Sequence, residues 1–126
     1  MKPAMQDETP ALPPFAMPGN RYPPGGPWQP PVDIYSGRDG WLVKFDLAGI
    51  RSEEVTIRTS GCELTVSGLR RDPKHIAGQR CWSIEIAYHR FTRTVVLPCG
   101  GEIDVAGSQY RDGMLMVMIR NREVTQ

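Results

Sequence analysis

The sequence predicts an all-β domain of the sandwich or barrel kind, and three observations predict it. Apolar residues recur with period two in one short run after another between Val32 and Arg120, as half-buried strands require. Clusters of Gly, Asp, Ser and Pro separate these runs at intervals of roughly 8–12 residues, the turn spacing of a sandwich or barrel. No apolar i, i+3, i+4, i+7 pattern persists long enough to make a helix.

Taken in order, the runs give about eight short strands. Val32 and Ile34 stand in VDIY. Trp41, Val43, Phe45 and Leu47 share one parity of WLVKFDL, with Lys44 and Asp46 on the other. Val55 and Ile57 alternate with Glu54, Thr56 and Arg58. Cys62, Leu64 and Val66 alternate with Glu63, Thr65 and Ser67. Ile84, Ile86 and Tyr88 follow, then Phe91, Val95 and Leu97. The last run, GMLMVMIR (113–120), is apolar on both parities: Leu115, Val117 and Ile119 on one, Met114, Met116 and Met118 on the other. SGRDG, AGIRSEE, TSG, DPKHIAG, PCGGEID and RDG supply the turns.

Composition changes near residue 31. Residues 1–31 hold ten of the twelve prolines, and proline lacks the amide donor and fixes φ, so this stretch reads as a flexible Pro-rich arm. Leu12, Phe15, Met17, Tyr22 and Trp28 punctuate it. A plain linker needs no such side chains, so Leu12, Phe15 and Trp28 are expected to anchor the arm on apolar surface. The domain is then 32–120, with a short tail at 121–126.

The chain has 126 residues and a formal net charge of +1, enough for one modest core and too little charge for nucleic-acid capture. No stretch approaches the roughly 18 apolar residues of a membrane span. MKPAMQDETP lacks an apolar core of the signal-peptide kind. Three cysteines, Cys62, Cys81 and Cys99, form an odd set without CxxC spacing. That pattern suits a reduced, cytoplasmic protein. Cys62, on an apolar parity, reads as a small buried hydrophobe, and Cys81 and Cys99 as thiols flanking strands. Catalytic chemistry finds little support. His75 and His89 have no HExxH partner, and there is no GxSxG, GxGxxG or phosphate-binding loop. A Cys81–His89 dyad lacks an orienting third group. No enzyme, metal or cofactor is expected.

Five collinear stretches resemble the small heat-shock protein, or α-crystallin domain, family of the bacterial type. Val32-Asp33-Ile34-Tyr35 before Asp39-Gly40 looks like its opening strand and turn. Asp46-Leu47-Ala48-Gly49-Ile50, followed by Glu53-Glu54, looks like its D-L/V-P/A-G-V/I turn. Leu64-Thr65-Val66-Ser67-Gly68 is similar to L-T-I/V-x-G. Phe91-x-Arg93 leading to Leu97-Pro98 is similar to F-x-R-x-x-x-L-P. Tyr110-x-Asp112-Gly113-Met114-Leu115 is similar to Y/F-x-D/N-G-V/M-L.

The resemblance implies an immunoglobulin-like antiparallel β-sandwich of about seven to nine strands and no enzymatic activity. It implies an ATP-independent holdase of the stress response that binds partly unfolded clients and prevents their aggregation. The alternative is a non-holdase module of the same fold, acting as co-chaperone or scaffold for a specific protein. It further implies a homodimer by strand exchange, with larger oligomers open. In that dimer a strand near Trp82–Ile86, inside the insertion 69–90, pairs with Val32–Tyr35 of the other copy. Val32, Ile34, Tyr35, Trp82, Ile84, Ile86 and Arg93 are the implied dimer contacts. Val55, Ile57 and Tyr110 are implied to line a groove for apolar peptides. Met116 and Met118 join them as candidate client contacts because their soft side chains suit varied partners.

Three departures carry expectations of their own. His89 stands where the family usually has Gly, so the local turn is expected to differ, since φ > 0 strains a non-glycine. Ser108 replaces a usual Ala. The tail NREVTQ offers Val124 as one anchor where many members have an Ile/Val-x-Ile/Val pair, so assembly through the arm, or a dimer, is expected in place of a tail-built shell.

Overall fold

The computed structural model describes residues 28–72 and 77–122. Seven strands follow in order: β1 (Val32–Ser36), β2 (Gly40–Asp46), β3 (Val55–Ser60), β4 (Glu63–Arg70), β5 (His89–Val96), β6 (Glu102–Arg111) and β7 (Met114–Arg122). They form an antiparallel four-stranded sheet, β1-β2-β7-β6, and an antiparallel three-stranded sheet, β3-β4-β5. One 3-10 turn, Ser52–Glu54, leads into β3.

Register explains the parities. In the larger sheet, Val32, Phe45, Leu115 and Tyr110 form one cross-strand row, and Ile34, Val43, Val117 and Ser108 form the next. In the smaller sheet the rows are Val55–Gly68–Phe91, Ile57–Val66–Arg93 and Thr59–Leu64–Val95. These rows face one another around a single core in which Val43, Phe45, Leu47, Leu64, Val66 and Val117 are fully buried. Each such side chain contributes about 1.5–3 kcal/mol by leaving water.

Two glycines are fixed by geometry. A Cβ on Gly68 would lie 2.4 Å from the Glu54 carbonyl oxygen and 2.8 Å from the Phe91 ring, so only Gly lets Phe91 lie across β4. Asp112 and Gly113 both take positive φ, 54° and 79°, the two-residue hairpin geometry that Asp-Gly favours. The Gly113 carbonyl then accepts from Leu47 N–H at 2.8 Å.

Four sequence expectations change. Residues 81–88 carry no strand in the single chain, because no neighbouring strand among the described residues reaches them. Cys62 and Cys99 are joined in a disulfide, with Cα atoms 5.8 Å apart, and only Cys81 is a free thiol among the described residues. The β3–β4 turn and the β5–β6 connection meet at one end of the sandwich, a proximity that a separation of 37 residues hides. His89 adopts φ 77°, so the turn keeps its left-handed backbone without a glycine. Trp28, expected on a mobile arm, belongs to the core. Its N–H donates to the Arg90 carbonyl and its carbonyl accepts from Thr92 N–H, both at 3.2 Å, in a parallel bridge on the free edge of β5.

Candidate interaction surfaces

Three surfaces and one joint stand out. The first is a groove between β3 and β6, which belong to different sheets and share no ladder. Ser52, Val55, Ile57, Ser108, Tyr110 and Leu115 line about 280 Å³ of it. Val55, Ile57 and Tyr110 point inward and pack against the core, so the sequence-predicted trio does meet. Tyr110 closes one end: its Oη donates to the Leu47 carbonyl at 2.7 Å and accepts from Ile50 N–H at 3.4 Å. The Cys62–Cys99 pair stands at the other end, where Ile103 N–H donates to the Gly61 carbonyl at 3.0 Å. Met116 and Met118, the other candidate client contacts, lie elsewhere.

Those methionines occupy the second surface, the outer face of the four-stranded sheet. Tyr35, Leu42, Met118 and Gly107 form one row there, and Asp33, Lys44, Met116 and Gln109 the next. Met118 lies over Gly107 and is 40% exposed. The β6 register shift between Val105 and Gly107 brings the glycine under it. Lys44 Nζ sits 5.4 Å from the Tyr35 ring centroid. The double apolar parity of GMLMVMIR is thus a core face, Leu115, Val117 and Ile119, backed by a solvent-facing thioether strip.

The third surface comprises the outer edge of β1 and the segment Trp82–Ile86. Trp82 is 96% exposed, Ile84 52% and Ile86 59%; Ile34 and Tyr35 are also exposed on β1. Val32 is half-buried against the core. Arg93, in the inner row beside Val66, is half-buried, and its Nη1 donates to the Pro30 carbonyl at 2.9 Å, just before β1. This bond ties β5 to the entry of β1.

The joint is Arg70, which the sequence did not single out. Its Nε donates to the Ala87 carbonyl at 2.9 Å and its Nη1 to the Ala48 carbonyl at 3.0 Å. Its guanidinium lies 4.0 Å from the Trp28 ring centroid and 5.9 Å from that of Tyr88. Burial pushes its pKa down from the ordinary arginine value, opposed by Tyr88 and Asp46. One side chain thus holds together the arm's root, the loop before β3 and the root of the Trp82–Ile86 segment. The Trp28 ring lies tilted against Phe91, centroids 5.4 Å apart, and its buried Nε1–H has no partner among the described residues. Leu12, Phe15, His75 and Val124 lie outside the described residues. Among those described, no group of three His, Cys, Asp or Glu side chains stands ready to hold a metal ion, and no helix is long and apolar enough to cross a membrane.

The family model described as Hsp20/alpha crystallin matches residues 33–126, most of the chain. The protein belongs to the Hsp20/alpha crystallin family. Heat shock protein 16 of Schizosaccharomyces pombe is 28% identical over 104 residues, covering 80% of this chain and 72% of that protein. Spore protein SP21 of Stigmatella aurantiaca is 24% identical over 97 residues, 77% of this chain and 57% of its own length. Among solved structures, hspA from Xanthomonas axonopodis superposes with a TM-score of 0.65 at 27% identity, covering 77% of this chain and 97% of that one. HSP18.5 from E. histolytica gives 0.61 at 27%, covering 75% and 88%. Membership of the Hsp20/alpha crystallin family supports a chaperone role and speaks against an enzyme. Within this Hsp20 domain, the Cys62–Cys99 bond and the Arg70 joint had no sequence signal, because both join segments distant in the chain.

Proposed function

We propose that this protein is an ATP-independent holdase that works as a strand-exchanged homodimer and captures partly unfolded proteins through exposed apolar surface. The observation that carries the reading is Trp82–Ile86: an apolar stretch left in solvent, without a ladder in its own chain, on an Hsp20/alpha crystallin scaffold. A free β1 edge presents unpaired amides and carbonyls, and such an edge is a template for another chain. Laying Trp82–Ile86 of one copy along Val32–Tyr35 of the other satisfies both needs by a symmetric exchange. Arg70 and Arg93 then position the two partners' roots.

The surfaces left after pairing serve clients. Val55, Ile57 and Tyr110 line the groove between two sheets, where an extended apolar peptide fits. Met116 and Met118 offer a deformable patch next to Leu42. Unfolded chains expose apolar area, and burying it needs no nucleotide. A cytoplasmic setting goes with this reading, and the Cys62–Cys99 disulfide is then a reversible bond.

The test is light scattering from an aggregation-prone enzyme heated without ATP. Suppression at a few-fold excess of this protein, absent with an equal mass of albumin, is expected. Scattering unchanged at several-fold excess contradicts the reading.

A further inference from the structure

The groove between β3 and β6 has two walls from different sheets, and nothing in either ladder fixes their spacing. Its ends do. At one end Tyr110 Oη reaches from β6 to the Leu47–Ile50 loop ahead of β3. At the other, the turn that ends β3 is tied to the segment that begins β6. Ile103 N–H donates to the Gly61 carbonyl, and Cys62 is bonded to Cys99. Both cysteines are half-buried, within reach of a small thiol, and neither takes part in the dimer surfaces.

We propose that Cys62–Cys99 is a redox-operated brace that sets the gap between β3 and β6 and thereby tunes the groove. In the reduced state a dithiol reductant has attacked one sulfur and the S–S bond has broken. A second exchange has closed the reductant's own disulfide. Two electrons and two protons have passed to the pair, which is now two thiols. A small-molecule disulfide reverses the exchange. Without the bond, one backbone hydrogen bond among the described residues, Ile103 N–H to Gly61, crosses at that end, so the walls there part more readily and a bound peptide must order them. The effect on peptide binding rests on the groove reading; the brace itself does not.

The experiment uses the full chain carrying Cys81→Ser, so that only the pair reports. Alkylation of the native unreduced protein is expected to label no cysteine, and dithiothreitol treatment to expose two. Labelling of two cysteines before reduction overturns the proposal. Amide hydrogen exchange is the deciding readout. On reduction, exchange across Val55–Ser60 and Glu102–Val105 should rise at least fivefold, while the centres of β2 and β7 change less than twofold. Exchange that stays within twofold at β3 and β6 after complete reduction overturns it. Cys62→Ser/Cys99→Ser should reproduce the reduced pattern without reductant. A fluorescent peptide with two isoleucines around one polar residue should bind about fivefold more weakly to the reduced form. Equal binding in both states overturns the tuning. Binding in neither state would instead refute the groove reading, with the exchange data still deciding the brace.

Discussion

His89 holds φ 77° with a full side chain, a conformation that costs an L-residue roughly 1–2 kcal/mol. His89→Gly relieves that strain but adds backbone freedom to the unfolded chain, so a gain of about 0.5–1 kcal/mol is expected in urea denaturation. Arg70 argues in the opposite sense. Its two hydrogen bonds to Ala87 and Ala48 and its place over Trp28 gather three loops. Arg70→Met should cost about 1 kcal/mol, chiefly by leaving the part-buried Ala87 carbonyl without its donor, since the exposed Ala48 carbonyl turns to water. It should also speed amide exchange across 77–88, and Arg70→Lys should recover less than half, because a point charge cannot keep the fork geometry. At Gly68 any side chain meets the Glu54 backbone and Phe91, so Gly68→Ala should lose about 1–3 kcal/mol through overpacking. Arg71 Nε bonds Glu54 Oε2 at 2.6 Å and holds the Glu54 carboxyl below its usual range. A lowered carboxylate pKa adds stability above the unfolded pKa and loses it as the pH falls through the folded value. This pair is exposed, so the effect should be small and vanish in high salt.

Among the elements, β7 shows how much a period-two pattern tells. Leu115, Val117 and Ile119 form the core parity, opposite Phe45, Val43 and Trp41 in the ladder. The run alone does not say which parity is core, and the resemblance to the family pattern made the methionines the outward one; what else shares that outer face depends on sheet order, which no local pattern encodes. Met116 and Met118, expected as client contacts, lie on that outer face and not in the groove. Val55, Ile57 and Tyr110, put on one groove by the resemblance, do line one pocket, each inward on its own strand. The segment Trp82–Ile86 has strand-like alternation and no strand, since alternation records a preference and a ladder needs a neighbour. The disulfide had no signature at all; two turns at one end of the sandwich meet through topology. Loss of that bond, which closes a separation of 37 residues, should cost about 4 kcal/mol on chain-entropy grounds, readable as a lower denaturation midpoint for Cys62→Ser/Cys99→Ser. Met116→Thr/Met118→Thr should leave the fold and dimer intact while weakening client protection. Unchanged protection would remove the methionine strip from the client surface.

At the scale of the whole molecule, an Hsp20/alpha crystallin sandwich buries one apolar face of each sheet and leaves an edge, a segment and a thioether strip in solvent. A solution mass of at least twice the 14.1 kDa chain is expected, reduced toward one chain by Trp82→Ser/Ile84→Ser/Ile86→Ser, because this removes the apolar side of the exchanged segment. The core of the account is that the remaining exposed surface holds unfolded protein without nucleotide. The direct measurement is sedimentation of a heat-denatured enzyme mixed with this protein in the absence of ATP. The account predicts that the enzyme stays in the supernatant and migrates with the protein in one soluble complex. An enzyme that pellets completely, leaving the protein free in solution, would contradict it.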